Sequence, residues 1–265
     1  MSCVIKIDKN KCKGEGSCTR VCPLLLLEMK DGIPQFKTQE HADSCIECGH
    51  CLALCALDAI TLNDISAQQC KKVNKNINIK TEELEEFIIN RRSIRNYQDK
   101  EVNKEIISRL LNICRWTPTT KNIQAVEWTV ISNKEKVKEL AEMTLNWFEE
   151  TNFPRKDMLE NWNAGIDMIS RGAPCLIIAH EDQSKMGAIC DCNIALTSLE
   201  LLACSMGLGT LWAGLLMRSL NNSEKIAQKV NLPKDHKVYA ALLIGYPKVN
   251  FSYIPPRKEV KVNWL

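Results

Sequence analysis

Histidine and aromatic residues are scarce in this sequence, at four residues and 6% respectively in a chain of 265. No Ser/His/Asp or Cys/His constellation stands out among them, so nothing in the sequence points to hydrolysis by an activated nucleophile. The opening Cys3-Val4-Ile5-Lys6 lacks the apolar core of a secretory signal. The expected setting is therefore reducing and cytoplasmic, where ligation or catalysis by cysteine outranks disulfide formation. An uninterrupted membrane span is also missing: Ile194 to Met217 carries one charge, Glu200, but Gly207, Gly209 and Gly214 divide it into a helix, a turn and a strand. The basic excess is not clustered. Residues 1–65 hold 7 Lys+Arg against 9 Asp+Glu, and the remainder 28 against 23. That spread suits a solvated surface with an anion-binding pocket and excludes a nucleic-acid footprint.

What is present is cysteine, and it is unevenly placed. Eight of the fourteen cysteines fall before residue 60, which marks a separate module in a chain long enough for one large domain or two unequal ones. The expected division is a cysteine-rich domain at 1–65, a polar Lys/Asn-rich linker at 66–80, and a larger body at 81–265. In that body Thr81 reads as a helix cap followed by Glu82 and Glu83, Asn103 caps a second helix, and Asn133 a third. Glu127–Ser132, Cys175–Ala179, Thr210–Leu216 and Val238–Gly245 read as strands. A mostly apolar helix from about Met186 to Met206 ends at Gly207. Helices interleaved with strands give an α+β body. Cys190 and Cys192 are expected on this buried helix, with Asp191 between them on another face.

Cys45-Ile46-Glu47-Cys48-Gly49-His50-Cys51-Leu52-Ala53-Leu54-Cys55 is an unbroken CxxCxxCxxxC run. That spacing wraps three thiolates around one cubane iron-sulfur cluster and sends the fourth to a neighbour. Zinc knuckles use two separated CxxC pairs instead. His50 occupies a spacer position. An earlier segment, Cys12-Lys13-Gly14-Glu15-Gly16-Ser17-Cys18-Thr19-Arg20-Val21-Cys22-Pro23, repeats the frame with Glu15 where the second cysteine belongs. Together the halves resemble a two-cluster bacterial ferredoxin over residues 1 to about 62. The resemblance implies Cys45, Cys48, Cys51 and Cys22 on one [4Fe-4S] cluster, with Cys12, Cys18 and Cys55 on the other. Glu15 then occupies the eighth ligand position, so the second cluster is expected as [4Fe-4S] or [3Fe-4S]. Cys3 and Cys70 are the other cysteines near the module and could supply the missing thiolate.

Asn90-Arg91-Arg92-Ser93-Ile94-Arg95 concentrates three guanidinium groups and a hydroxyl, a set suited to phosphate. Three later segments join it: Trp116-Thr117-Pro118-Thr119-Thr120-Lys121-Asn122-Ile123-Gln124, Gly207-Leu208-Gly209-Thr210-Leu211-Trp212-Ala213-Gly214, and Gly245-Tyr246-Pro247 with Pro255-Pro256-Arg257-Lys258. In this order they resemble the nitroreductase family over about residues 82–265. The resemblance implies an FMN-binding homodimer. Arg91, Arg92 and Ser93 would approach the phosphate and ribityl chain with Arg257, and Arg95 the N1/O2 edge of the ring. Thr119, Thr120, Asn122 and Gln124 would reach a flavin across the dimer interface. Leu211, Trp212, Ala213 and Gly214 would pass the ring face and offer backbone N–H near N5. Ala125-Val126 departs from the common proline-tryptophan after the glutamine. Gly207 and Gly209 follow a helix and precede a strand, the reverse of a Rossmann fingerprint. Trp147, Phe148, Phe153 and Trp162 read as core packing, with a lid or substrate pocket as the other use.

The functional expectation is an anaerobic iron-sulfur flavoenzyme passing single electrons from reduced ferredoxin, or a similar low-potential donor, through the clusters to FMN. From there a pair reduces a small organic acceptor, a nitroaromatic, quinone or activated alkene. Two alternatives stay open: flavin-dependent dehydrogenation or reductive dehalogenation by one-electron steps, and a non-enzymatic electron carrier or redox sensor.

Overall fold

The computed structural model describes residues 3–152 and 157–265. The chain separates into two units: residues up to Asn78 together with Lys121–Ile123, and Ile79–Thr120 with Gln124–Leu265. Phe153 lies outside the described residues.

The first unit is built twice over. Two glycines in the left-handed region, Gly16 (φ 68) and Gly49 (φ 72), each open a short helix, α1 (Ser17–Arg20) and α3 (His50–Leu54). Two residues before each, Gly14 (φ 71) and Glu47 (φ 50) also take positive φ, and so do Leu25 (φ 52) and Asp58 (φ 51) three residues after Cys22 and Cys55. Every one of these pairs is 33 residues apart, so the backbone of the two cysteine segments turns in the same places. Around them β1 (Ile5–Ile7) pairs antiparallel with β4 (Ile60–Leu62), which pairs with β5 (Ile65–Ser66). A hairpin joins β2 (Leu27–Lys30) to β3 (Ile33–Phe36), and α2 (Gln39–Asp43) is capped by the Thr38 hydroxyl. Cys3, Leu52, Ile60 and Leu62 form the small core. The start of the expected linker is ordered: Ala67–Gln69 is a 3-10 turn in which the Gln69 side chain accepts the Ser66 N–H at 2.8 Å. From Cys70 to Lys80 the chain is exposed and without regular structure.

The second unit centres on an antiparallel sheet in the order β6 (Glu127–Ile131), β7 (Cys175–Asp182), β9 (His236–Gly245), β8 (Gly209–Trp212). Alternation along the two central strands creates both cores. Leu176, Ile178, Ala241 and Leu243 face α6 (Lys134–Glu150), α9 (Gly214–Asn222) and α10 (Glu224–Lys229). Ile177, Ala179, Leu242 and Ile244 face α5 (Lys104–Cys114) and α8 (Ala188–Ser205). Two short helices, α4 (Thr81–Asn90) and α7 (Asp157–Asn163), complete the unit. Helix α8 is long and apolar enough to cross a membrane by composition, and here it packs on the sheet with eight residues buried. Gly207 (φ 77) stands just past its C-cap, where Leu208 N–H returns to Ala203 C=O.

Several local expectations are corrected. Lys80, not Thr81, is the N-cap of α4, and Thr81 begins the helix. The strand expected over Thr210–Leu216 stops at Trp212, because Gly214 starts α9. Strand β7 runs on past Ala179 to Asp182, carrying His180 and Glu181 into the buried interior. On α8, Cys192 and Asp191 are buried while Cys190 is exposed. Asn103 and Asn133 do cap α5 and α6, accepting from Glu105 N and Lys136 N. Phe148 is buried in the core with Trp147 and Trp162 packed against it.

Candidate functional site

The cysteine segments fold into two cavities. Cys12, Glu15, Cys18 and Cys55 line one of them; Cys22, Cys45, Cys48 and Cys51 line the other. The last cysteine of each segment thus turns away from its own loop to the opposite cavity. All are free thiols. Cys22 and Cys55 accept equivalent backbone hydrogen bonds, from Leu26 N and Ala59 N at 3.4 Å each, the kind of N–H···S contact that tunes cluster-ligating sulfur. Burial pushes the Cys51 thiol up to about 11, and burial likewise raises Cys18. The positive charge of bound iron is what would offset that loss of water and hold these sulfurs as thiolates. The residues fit iron-sulfur clusters: seven sulfur donors and one carboxylate in two tetrads, with Glu15 at the backbone position that Cys48 holds in the other half. Cys3 is buried beside Cys45, and its thiol is pushed up to about 12 by burial first and by Cys45 next. Cys70 is exposed on the surface, its thiol directed to Ser66 C=O.

In the second unit Arg91, Arg92, Ser93, Arg95 and Arg257 surround a cavity of about 200 Å³, together with Phe251. Sequence places Arg257 more than 160 residues after the others, and the fold closes that gap. Segment 93–97 is held against the sheet by a bridge from Ser93 to Thr210 and a second from Tyr97 to Pro247, and Ile94 N–H donates to Thr210 C=O at 2.8 Å. Gly209 is required there, since a Cβ would stand 2.6 Å from Ile94. The guanidinium of Arg92 lies 5.6 Å from the centre of the Phe251 ring.

Arg91 has a further partner. Its Nη1 donates to Glu200 Oε1 at 3.2 Å. The same oxygen accepts from Thr210 Oγ1 at 2.9 Å, and Glu200 Oε2 accepts from Trp212 Nε1 at 3.1 Å. One buried carboxylate therefore organises two residues expected to touch the cofactor, Arg91 and Trp212. Ala213 N–H is committed to Ala241 C=O at 2.9 Å. Gly214, at the first position of α9, has no intrahelical acceptor for its N–H; Leu211 packs partly against the core.

The loop 117–124 disperses its expected members. Thr119 and Gln124 line a cavity of about 380 Å³ with Arg115, Val126 and Trp128 among its walls. Both oxygens of Asp191 accept from Thr120 N at 3.0 Å, and Oδ1 also accepts from Thr120 Oγ1. Gly187 passes so close that a Cβ would meet Thr120 Oγ1 at 1.8 Å. Asn122 Nδ2 donates to Ile46 C=O at 3.0 Å, the carbonyl that follows Cys45. Lys121, Asn122 and Gln124 hold positive φ of 49, 56 and 53, a concentration of left-handed non-glycine residues characteristic of functional loops.

Glu200 and Asp191 are the site residues that sequence reasoning missed. Their signal was an isolated acid in an apolar helix, and each is explained by a donor far along the chain.

Comparison with known proteins agrees with this geometry. The nitroreductase family profile matches residues 88–246, and a 4Fe-4S dicluster domain profile matches residues 4–56. A Methanothermobacter thermautotrophicus protein, provisionally named NADH dehydrogenase/NAD(P)H nitroreductase, is 28% identical over 185 residues, 68% of this chain and 86% of the relative. The FMN reductase [NAD(P)H] of Bacillus subtilis is 26% identical over 192 residues, covering 68% of this chain and 72% of that protein. Among solved structures, a nitroreductase with bound FMN from Bacteroides fragilis superposes with a TM-score of 0.58 at 24% identity, over 69% of this chain and 97% of that one. The two cysteine-lined cavities, the arginine-lined cavity and these matches together identify the chain as a member of the nitroreductase family that carries a 4Fe-4S dicluster domain at its N-terminal end.

Proposed function

We propose that the chain is an FMN-dependent iron-sulfur oxidoreductase that takes single electrons from reduced ferredoxin or a similar low-potential donor and delivers pairs to a small organic acceptor. The observation that carries this reading is the convergence of Arg92, Ser93, Arg95 and Arg257 on one cavity in a chain that also has two cysteine-lined cavities. FMN and the clusters, when bound, supply interconversion between one-electron and two-electron transfer.

The residues of the chain do the binding and orienting. Arg92, Arg257 and Ser93 would hold the phosphate through charge-assisted hydrogen bonds. Glu200 fixes Arg91 at the rim of that cavity and neutralises part of its charge, so Arg91 orients more than it attracts. Arg95, exposed at the edge, would face the N1/O2 side of the ring, where positive charge favours the anionic reduced form. Gly214 N–H is the donor proposed for N5. Thr119 and Gln124 would serve the flavin of a second copy in a homodimer. Cys12, Glu15, Cys18 and Cys55 would hold one cluster, and Cys22, Cys45, Cys48 and Cys51 the other.

Nitroaromatics, quinones and activated alkenes are the proposed acceptors. The names of the two relatives favour a second reading, in which NAD(P)H is the donor. Anaerobic turnover with reduced ferredoxin or dithionite, set against NADH and NADPH, separates the two. The expected result is turnover with ferredoxin far above that with either nucleotide, and loss of ferredoxin-driven flavin reduction in Cys48→Ala while FMN stays bound. Comparable rates from NADH would transfer the donor role to the nucleotide.

A further inference from the structure

Strands β6, β7 and β9 bring three metal-ligating side chains to one end of the sheet, outside the cavities described above. Glu127 pairs directly with His180, and His236 pairs with Asp182, two residues further along β7. A register shift after Ala179, where His180 meets Val238 and Tyr239 is skipped, turns this end of β9 so that His236 lies on the same sheet face as His180. Nδ1 of His180 is 2.9 Å from Nδ1 of His236, and Nε2 of His236 is 3.9 Å from Glu127 Oε1. One donor atom from each of the three falls within 4.8 Å of the other two.

We infer that Glu127, His180 and His236 form a binding site for a zinc-class divalent cation. Tetrahedral zinc with bonds of ~2.0–2.1 Å separates its donors by roughly 3.3 Å; the two Nδ1 atoms stand 2.9 Å apart, and one ligand atom of each residue lies within 4.8 Å of the others, so side-chain rotation brings one nitrogen of each histidine and the carboxylate onto a single ion. The second support is the partner of His180 on its far side. Thr129 Oγ1 lies 3.0 Å from His180 Nε2. With the Nε2–H donated to that hydroxyl, Nδ1 is left as the lone-pair nitrogen and points at His236. Ligating histidines are held in this way, with the other ring nitrogen tied to an outer oxygen. The three ligands also grade from a buried His180, through His236 at 13% side-chain exposure, to Glu127 at 59%. That gradient gives the ion an entry path and leaves room for water as a fourth ligand. Two histidines and a carboxylate suit zinc better than magnesium or calcium, which take all-oxygen sets. Bound there, the ion would tie three strands together at the sheet end.

The test uses the full chain with clusters and flavin loaded, under anaerobic conditions, titrated with zinc chloride at fixed pH and then cleared of free metal. Zinc per chain is measured by plasma mass spectrometry and its shell by X-ray absorption. The wild type is expected to retain about one zinc with nitrogen and oxygen neighbours near ~2.0 Å. His236→Ala should weaken uptake by about 100-fold or more. Thr129→Val, which touches no ion, should weaken it by roughly 10- to 100-fold. Glu127→Gln, on the exposed side and harmless to folding, should also weaken it. Equal uptake by wild type and His236→Ala, a sulfur shell near ~2.3 Å that marks zinc on the cysteines, or no retention at ~100 μM would each overturn the assignment and leave a histidine pair that shares a hydrogen bond.

Discussion

Replacing Glu200 by glutamine keeps shape and removes charge, and the surroundings of Glu200 allow its cost to be worked out. The carboxylate accepts from three donors, two at Oε1 and one at Oε2. A glutamine has one acceptor oxygen. Placed toward Arg91 and Thr210, it turns its NH2 against the indole N–H of Trp212, and that donor is left unsatisfied at a cost of ~1–3 kcal/mol. The Arg91 contact, with side chains 27% and 6% exposed, loses its charged acceptor and about half its strength, ~1 kcal/mol more. The expected loss is ~2–4 kcal/mol, or roughly 5–15 °C in Tm for a domain of this size. All six tryptophans lie at or after Trp116, so tryptophan fluorescence during urea or thermal unfolding reads this unit selectively. Adding Arg91→Met should recover ~1 kcal/mol of coupling in a double-mutant cycle. A Glu200→Gln protein that melts within ~2 °C of wild type, at the rate of a few degrees per kcal/mol, would refute the argument, because three donors would then be satisfied without the carboxylate.

Glu15→Cys should raise iron by about one atom per chain and abolish the three-iron EPR signal of air-exposed protein, since soft sulfur holds that corner better than oxygen; unchanged iron and spectra would remove Glu15 from the ligand set. Arg257→Ala should weaken FMN binding by roughly 10- to 150-fold, the equivalent of a charge-assisted contact worth ~1.5–3 kcal/mol, as read by flavin fluorescence during dilution. Arg95→Ala should instead lower the flavin potential more than the affinity, and an unchanged midpoint in spectroelectrochemistry would take Arg95 away from the ring edge. Asp191→Asn should loosen the loop 117–124 by ~1–2 kcal/mol through loss of charged hydrogen bonding to Thr120, which faster amide exchange at Thr120 would show and unaltered protection would contradict.

Short-range features were the legible ones. Cluster ligation needs cysteines a few residues apart, so the spacing stands openly in the chain, including the glutamate that breaks it. The Arg91–Arg95 group was visible for the same reason, and Arg257 joined it only through the order of the later motifs. Asn103 and Asn133 announced their helices because a cap acts on the next two or three residues. Thr81 misled, since Lys80 already takes the extended backbone of the cap. The run Leu211–Leu216 misled differently: six residues without charge suit a strand and a buried helix alike, and the change between them occurs at Gly214. Glu200 and Asp191 were illegible on principle. The charged donor to Glu200, Arg91, lies 109 residues away, and Thr120 lies 71 from Asp191, and no local pattern distinguishes an acid that anchors a site from one that merely interrupts an apolar helix.

The exchange of the last cysteine between the two halves of the N-terminal unit bears on how such a unit can be cut, copied or assembled. Each 33-residue half supplies three corners of one cavity and the closing corner of the other. A lone half therefore cannot complete its own tetrad; it can do so only by meeting a second half, in the same chain or in another. Deleting either half leaves the survivor with an open cage instead of a smaller working module. Fused in tandem, the halves always find each other, at an effective concentration set by the short stretch between Pro23 and Ser44.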